Sequence, residues 1–485
     1  MNELIKSQKD YKLVHILIII VGILFLSIGL FNTNIWFDEA YSVGLANQSF
    51  IELIKVGASD VHPLLYYIIL KVFTVVFGSN MIVYRLVSLI PIAILIIFGY
   101  THIRKEFGSK VGIYFSFLLS FIPIISHYST QIRMYTWVML FIGLTSFYFY
   151  KVIKTSSTKN WLLFSIFSVL SAYTHHYGLF TICVINISLL VYLKITKQNI
   201  KEFIKYGVIQ TLLFIPGLIV FFKQTFQVAK GFWITVEYPK IILDIIQSSF
   251  KDSIKNNELP LIFSLIVVTY MIIRIIEMLK SNKKESYIAI VPLAIYITII
   301  LFALTVSLVR PVFITRYMLP MITLFVFALS YILSKEKNLV FKIAVVLGIL
   351  ILSILNSKVL YNNYYNKNNE DIKIAIKSEL QEDDIFIFKE IGAGSVVSTY
   401  FPKNKCYFYN SESWDVEQAY KAFKPSIDTV RNLEDIDINN KRIWVIDSGN
   451  SNLYETFVKN KETIKFEKIY NKYTDEIFVI TLLNK

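Results

Sequence analysis

Charge is what this sequence is shortest of. Only 17% of its 485 residues are charged, whereas 55% are hydrophobic and mean hydropathy is +0.54, which excludes an ordinary soluble globular chain. Cysteine is nearly absent too. Cys183 sits in an apolar run and Cys406 lies far downstream, so neither a disulfide framework nor a cysteine metal cluster can be built, and the pair says little about redox compartment. No small-residue cleavage site follows the first apolar run, which argues for an uncleaved first span rather than a signal peptide. Internal repeats are lacking, and biased sequence is confined to an Asn- and Tyr-rich stretch at 357–370.

What fills the chain instead is a series of apolar runs. They lie near 13–31, 85–100, 111–127, 132–150, 161–175, 177–193, 204–222, 260–277, 286–308, 316–334 and 339–356, about eleven stretches long enough to cross a bilayer. The chain reads as a polytopic α-helical membrane protein. Its net charge of +14 could suggest a nucleic-acid partner. The basic residues, however, gather in alternate short connections, such as Arg104, Lys105 and Lys110, or Lys335, Lys337 and Lys342. That placement sets orientation in a membrane and argues against nucleic acid. With Lys6, Lys9 and Lys12 before the first run, the N-terminus is expected in the cytoplasm.

The run at 64–78 is short for a span of roughly 20 residues. If it crossed, the basic "THIRKEFGSK" would face outward, against the positive-inside bias. It is therefore expected as a helix on or dipping into the outer surface, within one long outer loop, 32–80. Residues 1–356 form the membrane domain and 357–370 a linker. An odd number of spans then leaves 371–485 outside, as a small α/β domain. Apolar runs "DIFIF", "KCYFY", "RIWVID" and "EIFVITLL" alternate there with helix-like "DIKIAIKSEL" and "NLYETFVKN".

Ionisable residues avoid the span interiors and collect at the expected outer ends: Asp38, Glu39, Asp60, His62, Arg85, His127, Arg133, His175, His176, Arg310 and Arg316. A carboxylate just outside a membrane can serve as a general base where it reaches a hydroxyl held against an activated leaving group. It can equally be a solvated loop charge. Context favours the first reading for "NIWFDEAYS": Trp36 and Phe37 anchor Asp38 and Glu39 at the interface, and Asp60-Val61-His62-Pro63 brings a second acid and a histidine back at the far end of the loop.

Taken in order, "WFDEAYS", "DVHPLLYYIILKVFTVVFGSN" with "YRLVSL", "YSTQIRMYTW", "YTHHYG" and "PVFITRYMLP" resemble bacterial membrane glycosyltransferases of the dolichyl-phosphate-mannose-protein mannosyltransferase type. This is family 39 of the GT-C superfamily, which also includes aminoarabinose transferases. The resemblance covers roughly residues 10–335 and none of the C-terminal domain. It implies a GT-C fold, a polyprenyl-phosphate sugar as donor, inversion at the anomeric carbon and a glycan, lipid or protein acceptor on the outer face of the cytoplasmic membrane. It implies Asp38 as the base that deprotonates the acceptor, with Glu39 supporting it, and His62 as a contact to donor phosphate. The chain reads His-Pro-Leu at this point where many relatives read His-Pro-Pro. Arginine forks suit phosphate, so Arg133 and Arg316 are the first choices for the leaving group, with Arg310 and Arg85 behind them. The alternative for each is an arginine that snorkels to lipid headgroups. Asp60, Tyr66, Tyr135, His175, His176, Tyr177 and Tyr317 fall in the same motifs and complete the candidate set.

Several readings stay open at this level. His127, His175 and His176 could meet Asp38 and Asp60 around a divalent cation, which some superfamily members use, but adjacent histidines chelate poorly from one helix face, and no metal ligand is assigned. The stretch 223–259, with Phe232, Trp233 and Tyr238, is either a lid or an interfacial anchor. Gly392-Ala393-Gly394 lacks the third glycine of a dinucleotide fingerprint and is expected as a tight turn. A lipid-linked glycan transporter would place its polar groups nearer the midplane; a non-catalytic scaffold would tolerate loss of Asp38; a glycan polymerase or ligase is the nearest enzymatic alternative.

Overall fold

The computed structural model describes residues 2–230, 234–254, 258–281, 284–365, 368–409, 421–423, 426–436, 441–448, 453, 463–471 and 477–484. Among them, nine helices are long and apolar enough to cross a membrane: Tyr11–Phe31, Met81–Phe107, Tyr135–Lys154, His176–Ile195, Lys201–Phe226, Leu259–Lys280, Tyr287–Ser307, Thr315–Lys335 and Leu339–Asn363. At 1.5 Å per residue, 20 residues match a hydrocarbon core of about 30 Å. The other two expected spans fall on shorter elements. The run at 161–175 is the 17-residue helix Thr158–Thr174.

The run at 111–127 is not one helix. Ser109–Phe121 stops at Ile122, which is extended, and Pro123 opens a second helix, Pro123–Tyr128. Proline drives its predecessor out of the α region yet suits a first helical turn, so the break lies where the sequence puts it. The run at 64–78 is the 13-residue helix Leu65–Phe77, about 20 Å long and too short to span. In the stretch 223–259, helix Lys201–Lys230 ends and helix Lys240–Lys251 begins. Tyr238 donates to the Leu304 carbonyl at 3.0 Å; Phe232 and Trp233 lie outside the described residues.

The chain divides into two compact units. Residues 1–30, 62–66 and 85–360 form the first, and 31–61, 67–84 and 361–485 the second. In the first, small residues let backbones approach. A Cβ added to Gly29 would sit 2.1 Å from the Thr130 hydroxyl, so the first span presses directly on the segment after Pro123–Tyr128. Glu106 accepts from Lys151 at 3.0 Å and also meets Lys154, joining two helices at one end.

In the second unit, six strands form one sheet: β1 (Ile385–Phe388), β2 (Lys405–Tyr409), β3 (Ile427–Val430), β4 (Ile443–Ser448), β5 (Thr463–Asn471) and β6 (Ile477–Asn484). Their order is β3-β2-β1-β4-β6-β5. The first four are parallel, while β6 runs antiparallel to β4 and β5. All four residues of β1 are buried, as a central parallel strand covered on both faces requires. The four runs read as strands from the sequence are strands. Of the two helix-like stretches, "DIKIAIKSEL" lies in helix Asn368–Glu379 and runs one residue past its end, and "NLYETFVKN" lies outside the described residues except for Leu453.

The expected linker, 357–370, begins within helix Leu339–Leu360, which continues into a π-helical turn, Tyr361–Tyr365. One local expectation changes. Gly392-Ala393-Gly394 is the first turn of helix Ile391–Tyr400, not a tight turn. A Cβ on Gly394 would lie 1.9 Å from the Phe388 ring, so that glycine serves the close packing of helix on β1.

Candidate active site

The first unit gathers most of the candidate residues around one short segment. After Pro123–Tyr128 the chain bends through 129–134 before helix Tyr135–Lys154 begins. The bend is fastened at several points. Arg85, buried, donates to the Thr130 carbonyl at 3.0 Å. The Ser88 hydroxyl donates to the Arg133 carbonyl at 3.4 Å, and the Arg133 N–H returns to the Gln131 carbonyl at 2.7 Å. The Arg133 side chain, only 3% exposed, is thereby aimed at His62, with Nη2 at 3.4 Å from Nε2. A guanidinium only donates, so this imidazole nitrogen accepts. Gln224 in turn donates to the His62 carbonyl at 2.9 Å, fixing the start of the Leu65–Phe77 helix, on which Tyr66 lies within 3.4 Å of the Ser88 hydroxyl.

His175 forms the centre of the aromatic part. It is the single residue between helices Thr158–Thr174 and His176–Ile195, and its Nδ1 accepts the Tyr177 N–H at 3.1 Å as an N-cap. Its ring lies 6.1 Å from His62, 5.8 Å from Tyr135, 5.7 Å from Tyr177 and 5.5 Å from Tyr317. Burial, and then the charges of His62, His176, Arg133 and Arg316, hold the His175 imidazolium well below the usual histidine range. With Nδ1 accepting, the proton of the neutral ring sits on Nε2. That atom and the Tyr135 hydroxyl are buried and have no hydrogen-bond partner among the described residues. Buried polar atoms are nearly always satisfied, so the pair marks a place where an acceptor belongs. Arg316 lies 5.9 Å over Tyr317, and Tyr177 donates to the Val312 carbonyl at 3.0 Å, tying the 310–317 stretch to the same group.

The other candidates have different first tasks. Arg310 gives two bonds to the Val228 carbonyl, at 3.1 and 2.9 Å, at the end of the Lys201–Lys230 helix. Like Arg85, it holds backbone. The His176 ring packs 5.3 Å from Phe221. Among the described residues no group of three or more His, Cys, Asp or Glu side chains is placed to hold a metal ion.

His127 belongs to a polar network that the sequence did not reveal. Its Nδ1 is 3.0 Å from the Asp252 carboxylate, its Nε2 is 2.8 Å from the Gln131 amide, and Asn356 donates to Asp252 at 3.1 Å and to the Pro123 carbonyl at 3.2 Å. Asp252 itself has a positive φ of 37°. The one available signal was Asn356, a lone amide near the end of an apolar span. Asn356→Leu leaves a nearly buried carboxylate short of a donor. It is expected to cost about 1–3 kcal/mol, read as a lower melting temperature in detergent.

The carboxylates lie in the second unit. Trp36 is the N-cap of helix Phe37–Asn47, whose first turn carries Asp38 and Glu39. Glu39 is fully buried and accepts the Trp36 N–H at 3.4 Å, half of a capping box. Asp38 is only partly buried. Tyr41, one turn on, packs 6.1 Å from Tyr67, whose hydroxyl donates to Asp60 at 3.5 Å. Asp60 and the Asp38 helix are thus linked through two tyrosines.

Residues 61–220 match the family model for dolichyl-phosphate-mannose-protein mannosyltransferase. Among solved structures, the chain is similar to ArnT from Cupriavidus metallidurans in the apo state, with a TM-score of 0.66 at 10% identity over 96% of this chain and 97% of that one. The same protein bound to undecaprenyl phosphate gives 0.63 over the same shares, also at 10% identity. The oligosaccharyltransferase of Archaeoglobus fulgidus, in complex with zinc and sulfate, gives 0.51 at 12% identity over 80% of this chain and 62% of that one. No curated protein sequence matches. The resemblance read from the motifs is borne out, and the chain is a multi-pass membrane protein with the ArnT-like fold, C-terminal sheet included.

Proposed function

We propose that this protein is an inverting glycosyltransferase that moves one sugar from a polyprenyl-phosphate carrier to an acceptor hydroxyl on the extracytoplasmic face of the cytoplasmic membrane. The observation that carries this reading is the group formed by His62, Arg133, His175, Arg316 and Tyr135. It unites two guanidiniums with two buried donors that have no acceptor among the described residues, in a fold shared with a protein whose structure holds undecaprenyl phosphate. Such a group suits an anionic leaving phosphate, whose charge grows as the glycosidic bond breaks.

In this reaction Asp38 takes the proton of the acceptor hydroxyl. The acceptor oxygen forms its bond to the anomeric carbon as the bond from that carbon to the phosphate oxygen breaks, and the electron pair leaves with polyprenyl phosphate. Arg133, Arg316 and His62 receive that charge, and the neutral His175 donates through Nε2. Arg85 and Arg310 keep the surrounding backbone in place.

Membranes containing the protein, and matched membranes without it, test this with a panel of radiolabelled sugars on polyprenyl phosphate. Label is expected to pass to an acceptor only where the protein is present, and added undecaprenyl phosphate should slow the transfer as a product. Movement of intact donor across the bilayer without transfer would support the transporter instead.

A further inference from the structure

The C-terminal residues have so far had no task, and the second unit supplies one. Helix Phe37–Asn47 is only three turns long, yet every residue from Glu39 to Ala46 is buried. A helix buried on all sides needs cover on all sides, and here much of it comes from residues far downstream. Helix Ile391–Tyr400 packs against it. So does the turn at 421–423, where Phe423 lies 6.4 Å from Tyr41. The fit is tightest at Gly44, where an added Cβ would meet both the Ala422 carbonyl and the Phe423 ring at 3.1 Å. Hydrogen bonds hold the segment at both ends. Tyr400 donates to the Thr33 carbonyl at 3.3 Å ahead of the helix, and Gln48 donates to the Ala422 carbonyl at 2.8 Å behind it.

We infer that the C-terminal domain is the seat of the Asp38 helix, with Gly44, Gln48, Phe423 and Tyr400 as positioning residues that set where the Asp38 carboxylate points. This rests on the reading of Asp38 as the base. A short helix moves as one body, so a side chain that pushes Gly44 away from Ala422 shifts Asp38 with it. A displacement of about 1 Å in a catalytic group costs on the order of a hundredfold in rate. The donor phosphate is bound by other residues, so its apparent affinity should stay.

Full-length Gly44→Val, Gln48→Met, Gln48→Lys and Asp38→Asn are compared with the wild type in the transfer assay, with kcat and donor KM measured separately. Amide hydrogen exchange over residues 37–47 is followed in each. Gly44→Val is expected to lose tenfold to a hundredfold in kcat at unchanged donor KM, with faster exchange over 37–47. Gln48→Met should lose a few-fold, and Gln48→Lys, which can still donate to Ala422, should recover it. If Gly44→Val fails to accumulate, the Gln48 pair decides. Wild-type kcat in Gly44→Val and Gln48→Met, beside an inactive Asp38→Asn, would overturn the inference while leaving the base intact. So would a loss in both variants carried by donor KM. Full transfer by Asp38→Asn removes the base itself, and the inference with it.

Discussion

Asp38→Asn is expected to lower transfer about a thousandfold at matched protein level, whereas Glu39→Gln loses less than tenfold. The two carboxylates are adjacent but differ in surroundings. Glu39 is fully buried and its carboxylate accepts the Trp36 N–H; a glutamine Oε1 can accept the same bond. Asp38 is partly exposed, and its carbonyl accepts from Ser42 at 3.0 Å. Both gain from the helix N-terminus, but that is worth only about 0.3–1 kcal/mol each, roughly fivefold at most. A general base contributes about 10²- to 10⁴-fold. Stability and catalysis therefore predict different patterns, and kcat with donor in excess separates them. Equal losses in the two variants would assign both residues to the helix and neither to the chemistry.

The fold was legible in the sequence where physics acts locally. Apolar runs of span length became helices because a bilayer leaves no other way to satisfy the backbone, and Pro123 marks the one expected span that divides. The run at 64–78 was separated from the spans by its length and by the basic loop that follows the next run, and the helix is indeed 13 residues. Less could be read where a residue's role depends on distant partners. Arg85 and Arg310 stand in the sequence as secondary phosphate candidates, and the backbone carbonyls to which they donate lie 45 and 82 residues away in the chain. His127 was placed at the outer ends of the spans with no partner assigned, and it joins Asp252, 125 positions on. Gly44 gave no signal at all, since the ring it faces is Phe423.

The second large effect is expected at Arg133. Arg133→Ala should lower transfer by two to three orders of magnitude, and Arg133→Lys should fall between it and the wild type. An interaction aimed at charge that develops in the transition state is worth about 2.7–4 kcal/mol, which is the same range. Lysine restores the charge but not the planar fork. A structural account competes, because Arg133 is 3% exposed and stands against His62, so its loss could simply loosen the His62 segment. Ligand-induced stabilisation separates the two. A ligand that binds only the folded protein stabilises it by about 2.7 kcal/mol at a hundred times its Kd. Undecaprenyl phosphate should therefore raise the melting temperature of the wild type in detergent and raise that of Arg133→Ala far less. If Arg133→Ala melts lower than the wild type but gains as much from the lipid phosphate, Arg133 is a brace for His62, and Arg316 and His175 must carry the phosphate without it.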